Sequence, residues 1–154
     1  MAEFVRDVMT PGVVAVRPAA SLVEAAQLMR DHEIGAVVVA DGQDVVGVLT
    51  DRDIAVRAVA EGLDPQAASA GAVCTSDPFV VGPHDRVSTA VALMRAHAVR
   101  RLPVVEAGLP VGVVSLGDLA EARSPRSALA DISRAEADSG TTAWAGVGAG
   151  HNRA

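Results

Sequence analysis

The chain repeats itself. Displaced by 65 residues, Val8–Ala55 lies over Val73–Ala120 without a gap. Identical residues recur at Val8/Val73, Thr10/Thr75, Pro18/Pro83, Ala25/Ala90, Leu28/Leu93, Met29/Met94, Arg30/Arg95, His32/His97, Val39/Val104, Gly47/Gly112, Asp53/Asp118 and Ala55/Ala120. Most other pairs keep their apolar character. A repeat of this length, present twice, requires two supersecondary units that cover each other's apolar faces.

Each unit reads β-α-β-β-α, an α/β (α+β) arrangement. In the first, Val13–Val16 is a short strand ended by Pro18. Ser21 and Glu24 form a capping box that opens a helix with Leu22, Ala25, Ala26, Leu28 and Met29 on its apolar face. Ala36–Ala40 and Val45–Leu49 form a hairpin around Asp41-Gly42. A helix from Asp51 carries Ile54, Ala55, Ala58 and Val59 inward and stops at Gly62. In the second unit the strand is Phe79–Val81, the helix runs from Val87 to about Ala96, and Arg101–Glu106 pairs with Val111–Ser115 around Ala107-Gly108. A last helix runs from Leu116 to about Arg123. Pro103 lacks an N–H, which places its strand at a sheet edge. The expected boundaries are 7–64 for the first unit, 65–72 for a connector and 73–123 for the second unit. Residues 124–154, rich in Ser, Gly and Ala, read as a mostly disordered tail in which Leu129 and Ile132 hold at most one helical turn. Trp144, the sole Trp, lies in that tail.

One motif closes both units: Gly47-Val-Leu-Thr50-Asp-Arg-Asp53 and Gly112-Val-Val-Ser115-Leu-Gly-Asp118. Gly47 marks a place where another backbone comes close. The strand runs out through a hydroxyl residue into a helix N-terminus, where free N–H groups suit a phosphate. Thr-x-x-Asp is equally a capping box, which a purely structural helix start also shows. Arg52 sits in the first helical turn, where the helix dipole disfavours a cation by about 0.3–1 kcal/mol unless an anion is bound.

The composition narrows the options. The formal charge is −6 without a basic stripe, which argues against nucleic acid as a partner. The start of the chain does not read as a signal peptide. The longest apolar run, Ile34–Ala40, is too short for a bilayer, so no membrane partner is expected. A single cysteine fits a reducing cytoplasm.

The unit order, the closing motifs, Thr-Pro and Thr-Ser-Asp-Pro near the unit starts, and Val99-Arg-Arg-Leu-Pro-Val-Val105 resemble the cystathionine-β-synthase-type (CBS) domain. Two in tandem form a Bateman module. The likeness covers about residues 7–123 and extends to small stand-alone bacterial CBS-pair proteins, a group of which is linked to hypoxic or dormancy responses. It implies two repeats packed about a pseudo-two-fold axis, with adenosine ligands in the clefts between them. It gives Thr50 and Ser115 to phosphate, and Asp53 and Asp118 to the ribose hydroxyls. Val13, Val16, Ala36 and Val37 would line one base cleft, and Phe79, Val81, Leu102 and Pro103 the other. Arg101 matches a phosphate-contacting arginine of energy-sensing kinase γ subunits. With Arg100 and Arg52 it supplies the cations for two unequal sites, although Arg100 and Arg101 equally suit a solvated strand edge.

His32 and His97 share one repeat position in a last helical turn, where a cation is favourable, and no other ligand type recurs beside them, so no metal is expected. Cys74 replaces Met9 and reads as an apolar position. No nucleophile–base–orienter set and no P-loop is present, so no catalytic residue and no obligatory cofactor is expected. The resulting expectation is a cytoplasmic, non-enzymatic sensor of AMP or ATP. It would act as a homodimer on a separate effector protein by population shift. The alternative is a ligand-free CBS-pair module whose function is dimerisation or interaction.

Overall fold

The computed structural model describes residues 2–124 and 126–135. Two small sheets, each with its own helices, are built to one plan. The first contains β2 (Ala15–Val16), β3 (Ala36–Asp41) and β4 (Asp44–Thr50), with helix α1 (Leu22–His32) between β2 and β3 and α2 (Asp51–Asp53) after β4. The second contains β6 (Arg101–Glu106) and β7 (Leu109–Ser115), with α4 (Val87–His97) before the hairpin and α5 (Leu116–Arg123) after it. These are two β-α-β-β-α repeats about a pseudo-two-fold axis.

The repeats exchange their first strands. β1 (Thr10–Pro11) pairs with β7 of the other repeat, Thr10 opposite Val113 and Pro11 opposite Gly112. β5 (Thr75–Ser76) pairs with β4 in the same way, Gly47 opposite Ser76 and Val48 opposite Thr75. Preceding main chain follows. Val5, Val8 and Met9 pack into the second core, while α3 (Ala70–Val73) gives Val73, with Cys74 next to it, to the first. The hydrogen bonds match position for position: Val5 N–H to the Asp85 carbonyl at 2.9 Å answers Ala70 N–H to the Ala20 carbonyl at 2.8 Å. The stretch expected to act as a connector thus docks on the first repeat through Ala68–Cys74.

The exchange explains the motif glycines. A Cβ on Gly47 would collide with the Thr75 carbonyl oxygen and stand 2.7 Å from Cys74 Sγ. One on Gly112 would stand 2.6 Å from the Thr10 carbonyl oxygen. Both are close approaches that only a missing side chain allows.

Several local expectations change. The strand expected at Val13–Val16 is regular only over Ala15–Val16, although the Val14 carbonyl still accepts from Val38 N–H at 3.0 Å. In the second repeat Phe79–Val81 reduces to an isolated bridge from Val81 to Val104. Pro103 is the cause: it stands where Val38 stands in the first repeat and cannot donate to the Phe79 carbonyl. β6 accordingly ends the order β1-β7-β6. Past Asp53 the helix continues as a π-helical segment, Ile54–Val59, with Ala60 N–H bonded to the Ala55 carbonyl at 3.0 Å. The i→i+5 winding re-aims its side chains. Ala58 is buried, but Ala55 is exposed and Val59 is 67% exposed, contrary to the inward face expected.

Beyond Arg123 regular structure resumes in α6 (Ala128–Arg134), capped by Ser127 and seated on α5 through the fully buried Ala130. This is more than the single turn expected there, while Leu129 and Ile132 face outward. Trp144 and the rest of the tail after residue 135 lie outside the described residues.

Candidate functional site

The two closing motifs each form a full capping box. Thr50 leaves β4 in an extended conformation, and its Oγ1 accepts from Asp53 N–H at 3.0 Å; Asp53 Oδ2 accepts from Thr50 N–H at 3.0 Å. Ser115 and Asp118 repeat this at 3.1 and 2.8 Å. All four residues keep some solvent exposure, although the Asp53 side chain is only 13% exposed, so neither cap is closed into apolar packing. The hydroxyl oxygen and one carboxylate oxygen of each pair are engaged by the helix start. What remains for a ligand is the hydroxyl proton, the hydroxyl oxygen's second lone pair and the second carboxylate oxygen. Asp53 Oδ1 has Arg57 Nε 3.8 Å away. Among the described residues Asp118 has no such ion-pair neighbour, and Ala122 stands where Arg57 stands in the first repeat.

The strand ladder brings the caps to the seam between the repeats. Ala36 is paired with Thr50 and Arg101 with Ser115. Arg101 reaches across that seam: a Cβ on Gly35 would stand 2.5 Å from its Nη2. Gly35 and Arg100 hold equivalent places, and their carbonyls accept from Asp51 N–H at 3.0 Å and Leu116 N–H at 2.8 Å. Arg100 and Arg52 are exposed, and the Arg52 amide donates to Asp51 Oδ1 at 2.8 Å.

The residues assigned to the base clefts divide into two groups. Val16 and Val37 are buried in the first core and Val81 and Leu102 in the second, and Pro103 is buried as well. Val13 and Ala36 are half-buried, and Phe79 is 44% exposed. The Phe79 ring stacks on His97, centroids 3.7 Å apart and planes 13° from parallel. Sequence reasoning placed His97 only at a helix end and missed that stack; the position equivalent to Phe79 is Val14, so the repeat itself gave no signal.

Arg57 was also missed. Its Nη1 donates to the Val73 and Cys74 carbonyls at 3.3 and 3.2 Å, tying the π-helical segment to α3. Cys74 is buried, and that burial raises its thiol pKa; Ser76 and Arg57 oppose the shift more weakly. Two hollows indent the surface, and the second adjoins the second cap through Leu116 and Arg100. One of about 430 Å³ is bordered by Arg57, Asp64 and Ser69. The other, about 510 Å³, lies between α4, α5 and Leu129, with Arg95, Arg100 and Arg123 at its edge.

Comparison with known proteins gives a consistent result. The CBS domain family model matches residues 5–59 and 70–125. A CBS domain-containing protein of Bacillus subtilis, YhcV, is 42% identical over 84% of this chain and 94% of its own length. The crystal structure of Hypoxic Response Protein I, solved with two coordinated zinc ions, superposes with a TM-score of 0.70 at 38% identity, covering 77% of this chain and 97% of that one. The crystal structure of CBSX2 in complex with AMP superposes with a TM-score of 0.67 at 27% identity, covering 78% and 95%. Among the described residues of the present chain, no group of three or more His, Cys, Asp or Glu is placed to hold a metal ion. No helix among them is long and apolar enough to cross a membrane.

Proposed function

This chain belongs to the CBS-domain family, carrying the domain twice, and from that premise we propose that it is a non-enzymatic regulatory sensor that takes AMP or ATP in the clefts between its repeats. The observation that carries the reading is the seam itself. Two hydroxyl–carboxylate caps are held at the ends of β4 and β7, and Arg101 crosses between them over Gly35. A hydroxyl with a guanidinium beside it suits a phosphate, and the outer oxygen of Asp53 or Asp118 suits a ribose diol. Half-buried Val13 and Ala36 in one cleft, and Phe79 in the other, offer apolar surface to a base. That CBSX2 was solved with AMP supports an adenine nucleotide.

The proposed mechanism is population shift. A ligand touching both repeats favours one arrangement of them, and a separate effector protein reads that arrangement in a cytoplasmic homodimer. A second reading is a ligand-free interaction module. It is favoured by the commitment of both caps to their own helices.

Isothermal titration with AMP, ATP and S-adenosylmethionine separates the two. The sensor reading expects binding that Asp53→Ala and Asp118→Ala each weaken by about 1–3 kcal/mol. Silence for all three ligands at high micromolar concentration establishes the module instead. Unchanged affinity in both single variants removes the site assignment.

A further inference from the structure

The Arg101 guanidinium leaves its own repeat and settles over Gly35 of the other. A Cβ at Gly35 would stand 2.5 Å from Nη2 and 3.2 Å from Cζ, so a glycine is what makes the room. The same Cβ would stand 2.9 Å from Asp51 Oδ2. Guanidinium and carboxylate therefore border one point, each from a different repeat. Asp51 is held there twice: its N–H donates to the Gly35 carbonyl at 3.0 Å, and its Oδ1 accepts from Arg52 N–H at 2.8 Å. It directly follows Thr50, the hydroxyl at the phosphate end of the first cleft. The equivalent residue of the second repeat is Leu116, 55% exposed, with Arg100 in the place of Gly35. The second cleft thus has no carboxylate at this position.

We propose that Asp51 is a specificity-determining residue of the first cleft, a fixed negative charge near Arg101 that limits how much phosphate charge the cleft accepts. This role rests on the nucleotide reading above. A phosphate on Thr50 lies next to a carboxylate that opposes the attraction of Arg101, and each further phosphate adds repulsion from Asp51. The other charges here do not cancel the effect. Arg52 is exposed and screened by solvent, and Asp53 is engaged by the cap and faces Arg57. The ligand class that suits the first cleft is an adenosine bearing little phosphate charge, the nucleoside or its monophosphate.

The test is titration of the full chain with adenosine, AMP, ADP and ATP in magnesium-free buffer, for the wild type, Asp51→Asn and Leu116→Asp. Asp51→Asn keeps the acceptor for the Arg52 amide and removes only the charge. It is expected to tighten ATP about tenfold while adenosine moves less than about twofold. Leu116→Asp is expected to weaken ATP at the second cleft by a similar factor. ATP binding that is unchanged in Asp51→Asn, or that shifts together with adenosine, overturns the role of Asp51 and leaves the nucleotide reading standing. If none of the four ligands binds the wild type or Asp51→Asn, the nucleotide reading falls, and the role of Asp51 falls with it.

Discussion

Replacing Gly47 by Ala tests the strand exchange on which the seam depends. In an ordinary strand the change is favourable, because glycine costs about 0.5–1 kcal/mol relative to alanine. Here the new methyl would collide with the Thr75 carbonyl oxygen and crowd Cys74 Sγ at 2.7 Å and the Thr75 carbonyl carbon at 3.2 Å. Two of these atoms are main chain and the third is a buried sulfur, so none can swing aside. Relief requires β5 to move off β4, where only the pairs Gly47–Ser76 and Val48–Thr75 hold it. Overpacking costs about 1–3 kcal/mol and each weakened strand hydrogen bond about 0.5–1.5 kcal/mol. A net loss of about 2–4 kcal/mol follows, which lowers Tm by roughly 5–15 °C for a chain of this size. Circular dichroism in thermal and urea unfolding reads it directly. Gly82→Ala is the control, since its nearest neighbours are the Asp85 carboxyl atoms, from 3.6 Å outward, and its expected Tm is at or above wild type. Should Gly47→Ala melt as high as Gly82→Ala, β5 does not lie against β4 and the exchange is refuted.

Two further outcomes follow from single residues. Burial raises the Cys74 pKa, so the folded state favours the neutral thiol. The resulting stability is complete below the ordinary thiol pKa of about 8.5 and is lost as pH rises from there through the raised folded value. Cys74→Ala should flatten the fall in stability across that alkaline range, and iodoacetamide should label the native wild type far more slowly than the urea-unfolded chain; rapid native labelling contradicts the burial. Pro103→Val restores a donor opposite the Phe79 carbonyl. A new hydrogen bond of about 0.5–1.5 kcal/mol is offset by the lost proline constraint of about 0.4–1 kcal/mol, so stability should barely change. Hydrogen exchange should nevertheless show a protected amide at position 103, and an unprotected one would show that Pro103 does not explain the lost strand.

What the sequence made legible was local. Both hairpins and both hydroxyl caps follow from signals a few residues long, turn glycines and Thr-x-x-Asp, and the structure has them. Gly47 was readable as a close approach, but not what approaches it, because Thr75–Ser76 is a two-residue strand and two residues carry no periodicity. For the same reason 65–72 read as a connector and 73–76 as the start of the second unit, although 68–76 packs on the first repeat much as 3–11 packs on the second. The inward face assigned to Ala55 and Val59 failed because it assumed 3.6 residues per turn, and a π-helical segment does not keep that period. In the candidate site the motif residues were legible and their neighbours were not. Arg101 over Gly35, with Asp51 near the same point, is an approach between repeats, and no spacing within either repeat encodes it.

The exchange also bears on how a ligand signal would travel. Each cap terminates a strand, β4 or β7, whose outer partner, β5 or β1, comes from the other repeat. A shift of Thr50 along β4 therefore loads Thr75–Ser76 and, through Cys74 and Val73, the carbonyls that Arg57 holds. Arg57 in turn sits 3.8 Å from Asp53, the carboxylate proposed for the ribose. The first cleft thus has a closed physical loop from cap to exchanged strand to α3 and back to the cap. The second repeat has Ala122 in the place of Arg57, so its loop is open. Under the sensor reading, a ligand in the first cleft should stiffen 68–76, and one in the second should leave 3–11 comparatively free.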